Sequence, residues 1–411
     1  MIEYSKFVLD NGLRVIVHED DSSPMVAVNI LYGVGSKDES PEKTGFAHLF
    51  EHLMFGGSEH IKDFDGPIQL AGGENNAYTN SDITNYYDIV PAQNLETILW
   101  LESDRMNKLD FSQEALDVQK KVVVEEFNET CLNKPYGDVW HHLSSMAYKD
   151  HSYRWPTIGL VPEHVENANL DDVKSFFYSY YRPNNAILVL SGNISLKKAK
   201  EQCQKWFGNI PKGEQKVSNI IREKVQTKPR IKKVFGEVPS TAFYLAFHMP
   251  DRLHKDYPVC DLLSDAFANG RSSRLYQKFC KDEQICSTID AYITGAIDPG
   301  LFIIEGKLMP EFTMEETLDK IWDCIHSMQS ESIEERELKK LKNKVESGLV
   351  YAEVNILNKA MNLAYFEHIG DLELINKQTS IYQEITAKDL QAAAKKYLTK
   401  ENSNLLLYYP N

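Results

Sequence analysis

The feature of this sequence that most limits its possible folds is a repetition between its two halves. Residues 241–270 repeat the pattern of residues 25–57: an apolar strand, a charged turn and a helix that ends at a glycine. Residues 172–190 and 389–408 form a second such pair, a helix followed by an apolar strand. One offset of about 215 residues relates both pairs, as expected of a duplicated domain. A length of 411 residues also favours two domains, because it exceeds what one ordinary core accommodates.

The first half contains the pattern H-x-x-E-H, formed by His48, Glu51 and His52, within an apolar segment of helical spacing that ends at two glycines. On a helix, His48 and His52 lie one turn apart, so both imidazoles leave from one face. That spacing suits two nitrogen ligands of one zinc ion, and Glu51 on the same face could take a proton from the attacking water. A lone histidine on an apolar helix is usually structural, but this combination favours a metal site.

Such a site needs a third protein ligand, and the helical segment 119–129 offers several glutamates. Glu125, Glu126 and Glu129 are all candidates, and the composition does not choose between them. Weaker alternatives are the histidines His141, His142 and His151. Adjacent histidines such as the first two point to different sides of a helix.

Two strands are predicted after the glycine pair at 72–73. Asn76, Ala77 and Tyr78 could form an edge strand to which an extended peptide adds as a further strand. An ordinary hairpin with a polar turn fits the same residues equally well.

The composition excludes some classes of function. A net charge of −15 argues against a nucleic-acid partner, which requires a basic face. The acidity weakly suggests basic peptides as substrates, although an acidic surface is more often simply solvated. No stretch of about 18 apolar residues occurs, so no membrane-spanning segment is expected.

Six cysteines occur without a C-x-x-C pair or zinc-finger spacing, which is typical of reduced thiols in a reducing compartment. The first residues, 1–6, show no basic region followed by an apolar run. A cytoplasmic location is therefore expected, or a periplasmic one if a signal peptide has been removed.

Four segments together resemble the pitrilysin/insulinase family of zinc peptidases: the H-x-x-E-H helix, Gly72-Gly73 with Asn76-Ala77, residues 122–127, and Asn184-Asn185-Ala186 before an apolar strand. The chain is most similar to the short bacterial members, which are related to mitochondrial processing peptidase. This resemblance implies an α+β fold of two homologous domains, each a mainly antiparallel sheet covered by helices.

The implied domains are a metal-binding catalytic domain at residues 1–212, a linker at 213–230 and a degenerate domain at 231–411. When the glycines are aligned, His48, Glu51 and His52 fall opposite Asp261, Ser264 and Asp265, so the second domain is expected to bind no metal.

The resemblance also implies Zn²⁺ as the cofactor and a role for each site residue. His48, His52 and Glu126 would be the ligands, with Glu129 as a rival for the third position, and Glu51 would be the catalytic base. Extended peptides would lie along Asn76, Ala77 and Tyr78 inside a chamber that favours short or unfolded substrates. Gln119 stands where the family often has a glutamate, which affects the outer shell of the site.

A second departure concerns the Arg and Tyr that active members carry after a G-x-S-S-R-L-Y-type segment. These positions fall on Cys280 and Ser287, which supply neither a guanidinium nor a phenol. We therefore expect a zinc-dependent endopeptidase that is the metal-bearing subunit of a two-chain enzyme, with a homologous partner supplying the pair, or a homodimer.

Two other functions compete with this interpretation. One is a non-catalytic zinc-binding assembly subunit, against which the intact Glu51 argues. The other is a partner-binding scaffold with a structural metal, which would normally need a fourth protein ligand.

Overall fold

The computed structural model describes residues 1–214 and 220–411. The strands in this part of the chain are β1 Ser5–Val8, β2 Arg14–Glu19, β3 Met25–Tyr32, β4 Glu74–Thr79, β5 Thr84–Pro91, β6 Ala186–Gly192, β7 Arg230–Gly236, β8 Ala242–His248, β9 Cys286–Ile293, β10 Leu301–Leu308 and β11 Ser403–Pro410. The α-helices are α1 Phe46–Leu53, α2 Asp65–Leu70, α3 Leu95–Asn107, α4 Gln113–Phe127, α5 Val139–Ala147, α6 Glu163–Glu166, α7 Leu170–Tyr180, α8 Leu196–Phe207, α9 Tyr257–Ala268, α10 Met314–Ser330, α11 Glu335–Ala352, α12 Ile356–His368, α13 Leu374–Glu384 and α14 Ala387–Tyr397.

The described chain forms two compact units. The first consists of Met1–Asn128, Trp155–Ile221 and Val350–Asn376. Its six-stranded sheet has the order β1-β2-β6-β3-β5-β4, in which only β2 and β6 run parallel. The β1–β2 hairpin turns at Gly12, whose φ of 89° lies in the left-handed region that favours glycine. The near-continuous apolar run of β3 is buried between β5 and β6, as expected of a central strand.

The second unit consists of Glu129–Arg154, Arg222–Leu349 and Lys377–Asn411. Its five-stranded sheet has the order β7-β11-β8-β10-β9, and only β7 and β11 run parallel. Strand for strand, this order and these directions repeat β2-β6-β3-β5-β4 of the first unit. The prediction of two homologous α+β domains with mainly antiparallel sheets is therefore confirmed.

The units do not follow the order of the chain. Helix α12 comes late in the sequence, yet it packs on β3 and β6 of the first unit. Helix α5 comes early, yet it packs on β8 and β11, the equivalent strands of the second unit. Each sheet thus packs against a helix that lies, in sequence, between two segments of the other unit.

The predicted boundaries, 1–212, 213–230 and 231–411, remain a prediction. They describe the two copies of a duplicated sequence, whereas the compact units are groups of segments that pack together. Within the predicted linker, residues 215–219 lie outside the described part of the chain.

The helices of residues 1–214 and 220–411 include none that combines the length and the apolar character needed to cross a bilayer.

Candidate metal centre

Helix α1 presents two different faces. One face enters the core of the first unit through Phe46, Ala47, Leu49, Phe50 and Leu53. The remaining positions, His48, Glu51 and His52, are only partly buried. Because the apolar residues fix the rotation of the helix, the two imidazoles and the carboxylate are directed away from the core.

The start of α1 is capped by a residue from outside the helix. Gly45 precedes the first helical residue with a φ of 86° and has no side chain that could cap the helix. Glu39, 8% exposed, takes this role: its carboxylate accepts hydrogen bonds from the backbone N–H groups of Gly45 at 2.9 Å and Ala47 at 2.8 Å. A buried carboxyl group at a helix N-terminus accepts hydrogen bonds from N–H groups that would otherwise be unpaired.

Burial raises the pKa of Glu39 well above the usual value of a carboxyl group, and the bonds from Ala47 and Gly45 offset only part of this increase. The sequence interpretation missed this residue. The available signal was an acidic side chain shortly before a helix whose own N-cap is glycine.

Helix α4 supplies the third side chain. It begins with a capping bond from the N–H of Ala115 to the hydroxyl of Ser112, at 3.2 Å. Leu116, Val123 and Phe127 anchor the helix in the core of the first unit, and α4 packs against α1. This packing brings Glu126 to the histidines.

The three groups form a compact set of donor atoms. One atom each from His48, His52 and Glu126 lies within 4.8 Å of the others. Glu126 Oε2 is 3.7 Å from His48 Nε2 and 3.5 Å from His52 Nε2. Ligands at about 2.0–2.1 Å from a tetrahedral zinc ion lie about 3.3–3.4 Å apart. The donor set and its spacing therefore fit Zn²⁺.

The electrostatics favour the metal-binding form of His48. Burial lowers the pKa of His48 most, Glu126 raises it, His52 lowers it and Glu51 raises it, with a net decrease. A neutral imidazole is the form that coordinates a metal. Glu126 is the most open of the three, with 40% of its side chain exposed, so water reaches the cluster from this side.

The other sequence candidates are placed elsewhere. Among the described residues, Glu125 and Glu129 are exposed, and neither belongs to this cluster. In the second unit, His142 bonds to Asp138 at 3.0 Å, and His151 lies 3.6 Å from Asp298. His141 likewise lies in the second unit and outside the cluster.

The surroundings of the cluster depart from the usual outer shell of zinc sites. His48 Nδ1 is buried without a hydrogen-bond partner among the described residues, whereas ligating histidines usually donate their second nitrogen. Gln119 lies beside Gly56, just beyond the end of α1. The surroundings of His48 are thus unusual for a zinc ligand, and the effect of Gln119 on the outer shell remains a prediction.

Strand β4 is an edge strand. It pairs with β5 alone in the described sheet, and α1 packs beside it. Asn76 and Tyr78 are exposed, and Ala77 between them is partly buried. The edge position of these three residues is thus a feature of the fold, and their role toward a peptide remains a prediction.

The second unit places different chemistry on the equivalent helix. Asp261, Ser264 and Asp265 lie on α9, and Asp265 pairs with Lys344 of α11 at 3.3 Å. Cys280 belongs to a π-helical segment, Tyr276–Asp282, and Ser287 of β9 donates to the carbonyl of Lys307 at 3.2 Å. At these positions the second unit therefore has neither histidines like those on α1 nor the Arg and Tyr expected from the family resemblance.

Comparison with known protein families agrees with this geometry. Residues 14–159 match the family described as insulinase (peptidase family M16), and residues 167–345 match the peptidase M16 inactive domain. The chain belongs to peptidase family M16. Within this M16 chain, the matched insulinase segment contains all of His48, Glu51, His52 and Glu126.

Relatives of this M16 chain are named as zinc proteases. Zinc protease PqqE of Helicobacter pylori is 26% identical, over 99% of this chain and 93% of that protein. Uncharacterized zinc protease YmxG of Bacillus subtilis is 24% identical, over 84% of this chain and 83% of that protein.

Solved structures share a fold that covers the whole of this chain. A protease from Helicobacter pylori superposes with a TM-score of 0.95 at 26% identity, covering 100% of both chains. Pitrilysin gives a TM-score of 0.82 at 17% identity, covering 100% of this chain and 45% of that one, which is evidence for the fold alone.

Proposed function

We propose that this M16 chain is a zinc-dependent endopeptidase that hydrolyses short or unfolded peptides. The observation that carries the proposal is the convergence of His48, His52 and Glu126 within 4.8 Å, with Glu51 on the same helix as both histidines. Relatives named as zinc proteases support it.

In this mechanism His48, His52 and Glu126 would hold Zn²⁺. When bound, zinc acidifies the attacking water and polarises the scissile carbonyl. Glu51 takes the proton of the water on its carboxylate and passes it to the leaving amine. The partial exposure of Glu126 leaves an open side for water and substrate.

The substrate backbone would pair with the free edge of β4. Strand addition uses main-chain hydrogen bonds, so it selects extended peptides over folded proteins and is tolerant of sequence. The exposed side chains of Asn76 and Tyr78 would then contact the substrate beside α1.

Full activity would need a second, homologous chain. Cys280 and Ser287 occupy the positions at which the family carries its Arg and Tyr, and neither supplies a cationic fork or a phenol to the transition state. A partner with this pair would complete the site and close a chamber around the peptide. A homodimer would form the chamber without the pair.

The test is cleavage of a mixed library of short peptides by the purified zinc-loaded chain, with and without a chelator. Glu51→Gln should abolish turnover while the zinc content stays unchanged, because it removes the base and no ligand. Glu42→Gln, at an exposed position shortly before α1, is the matched control and should cleave like the unaltered chain.

The outcomes separate the possibilities. Chelator-sensitive cleavage that is lost in Glu51→Gln supports the peptidase, and a high rate that no partner increases would overturn the two-chain proposal. Bound zinc without turnover, even beside a homologous Arg/Tyr chain, would favour the non-catalytic assembly subunit.

A reducing location is part of the proposal. All six cysteines are free thiols, and Cys131, Cys203, Cys260 and Cys286 are buried. Such thiols are typical of the cytoplasm. Fractionation of cells expressing the tagged chain would place it there or in the periplasm.

A further inference from the structure

The second unit contains a cavity at the place where the first unit has its metal centre. The cavity lies between α9, the end of β9, α11 and α13. Helix α9 follows β8 as α1 follows β3, and α11 follows β10 as α4 follows β5 after one intervening helix. The cavity is therefore the counterpart of the cluster on α1 and α4.

The cavity is large enough for a small organic molecule. Its volume is about 460 Å³, within the range of about 300–1,000 Å³ typical of ligand sites. Two glycines contribute to its lining, and the space beside them is open: a Cβ on Gly348 would meet no atom within 4 Å, and one on Gly295 would meet only the Tyr257 hydroxyl, at 4.0 Å.

Opposite charges line the same cavity. Asp261 on α9 supplies a carboxylate, which the Tyr382 hydroxyl orients by donating a hydrogen bond to it. Arg252 supplies a guanidinium, whose carbon lies 4.5 Å from the centre of the Tyr257 ring. A ligand of one charge would be attracted by one of these groups and repelled by the other. A ligand carrying both charges matches both.

The remaining lining residues indicate the polarity of the ligand between its charged ends. Ile293, Val345 and Leu349 form an apolar wall, and Gln378 offers an amide that can both donate and accept. Apolar walls with a few convergent polar groups are the usual composition of small-molecule sites.

We propose that this cavity binds a zwitterionic amino acid or dipeptide with apolar side chains. Asp261 holds the ammonium group, Arg252 holds the carboxylate in a forked contact, and the apolar wall takes the side chains. The duplicated helix pair thus keeps a ligand site whose chemistry has changed from metal coordination to recognition of charged termini. This binding requires neither zinc nor turnover, so it stands or falls separately from the peptidase proposal.

The probe is the dipeptide Leu-Leu, titrated calorimetrically into the full-length Glu51→Gln chain so that the probe is not hydrolysed. We expect saturable binding. Asp261→Asn and Arg252→Gln should each weaken it at least about tenfold, the loss expected for a charge-assisted contact. The exposed residues Asp282 and Arg271 give matched controls, Asp282→Asn and Arg271→Gln, which should bind like the parent chain.

Modified probes identify which group meets which end. N-acetyl-Leu-Leu lacks the ammonium, and Leu-Leu-amide lacks the carboxylate, so each should bind at least about tenfold more weakly to the parent. The amide should lose nothing further in Arg252→Gln, and the acetylated probe nothing further in Asp261→Asn.

One more variant keeps the test valid if a charge change disturbs folding. Gly348→Leu fills the cavity and leaves both charges in place, so it should abolish binding without lowering thermal stability. Absence of saturable binding to the parent would overturn the proposal. Binding that persists unchanged in Asp261→Asn, Arg252→Gln and Gly348→Leu would overturn it too, because the dipeptide would then occupy another site.

Discussion

Among single residues, Glu126 differs from its neighbours Glu125 and Glu129 in the position of its carboxylate. All three lie close together in sequence, and spacing alone cannot separate Glu126 from Glu129, because residues three apart share a helix face. The packing of Val123 and Phe127 into the core sets the rotation of α4 and brings Glu126 to 3.5 Å from His52. Burial of specific apolar residues therefore adds what the pattern of glutamates lacks.

Zinc affinity should depend on Glu126 and not on Glu129. Glu126→Gln replaces a charged ligand by a neutral amide, and the loss should exceed about 100-fold, since changes outside the ligand shell already cost about 10–100-fold. Glu129→Gln, at an exposed position, should change the affinity little. Competition with a chelator of known affinity measures both, and a larger loss in Glu129→Gln would reverse the assignment.

At the level of elements, α1 depends on a contact that lies outside its own sequence. The periodicity of Phe46, Leu49, Phe50 and Leu53 predicts the helix, because apolar residues three and four positions apart lie on one helix face. The same spacing leaves the histidines on the other face. It does not predict the cap, because an acidic residue before a helix usually lies in solvent. Only the fold shows Glu39 8% exposed and bonded to Gly45 and Ala47.

Loss of this cap should destabilise the first unit. Glu39→Ala leaves the N–H groups of Gly45 and Ala47 without their buried acceptor, at a cost of about 1–3 kcal/mol in the free energy of unfolding. Glu42→Ala, a nearby exposed acid, should change it by less than about 0.5 kcal/mol. Denaturant unfolding of the metal-free chain measures both, and equal effects would remove the special role of Glu39.

For the whole molecule, sequence repetition and spatial organisation give different divisions of the chain. The offset of the two halves correctly predicts two related sheets, because strand order and apolar runs are written locally in each half. It does not reveal that residues 350–376 belong to the first unit and residues 129–154 to the second. An amphipathic helix has a buried face in either unit, so its pattern does not say which sheet it covers.

Consequently a fragment of residues 1–212 should not fold stably, although it contains every residue of the candidate metal centre. It lacks α12, whose buried side chains include Leu363 and Phe366, and which packs on β3 and β6. It also lacks Lys359, which pairs with Asp20 at 2.7 Å. We expect the fragment to aggregate or to melt without a cooperative transition, because it exposes an apolar sheet face.

Addition of the separate peptide 350–376 should restore both cooperative melting and zinc affinity. Circular dichroism measures the melting. A fragment 1–212 that melts cooperatively alone and binds zinc as tightly as the full chain would show that α12 is dispensable to the first unit.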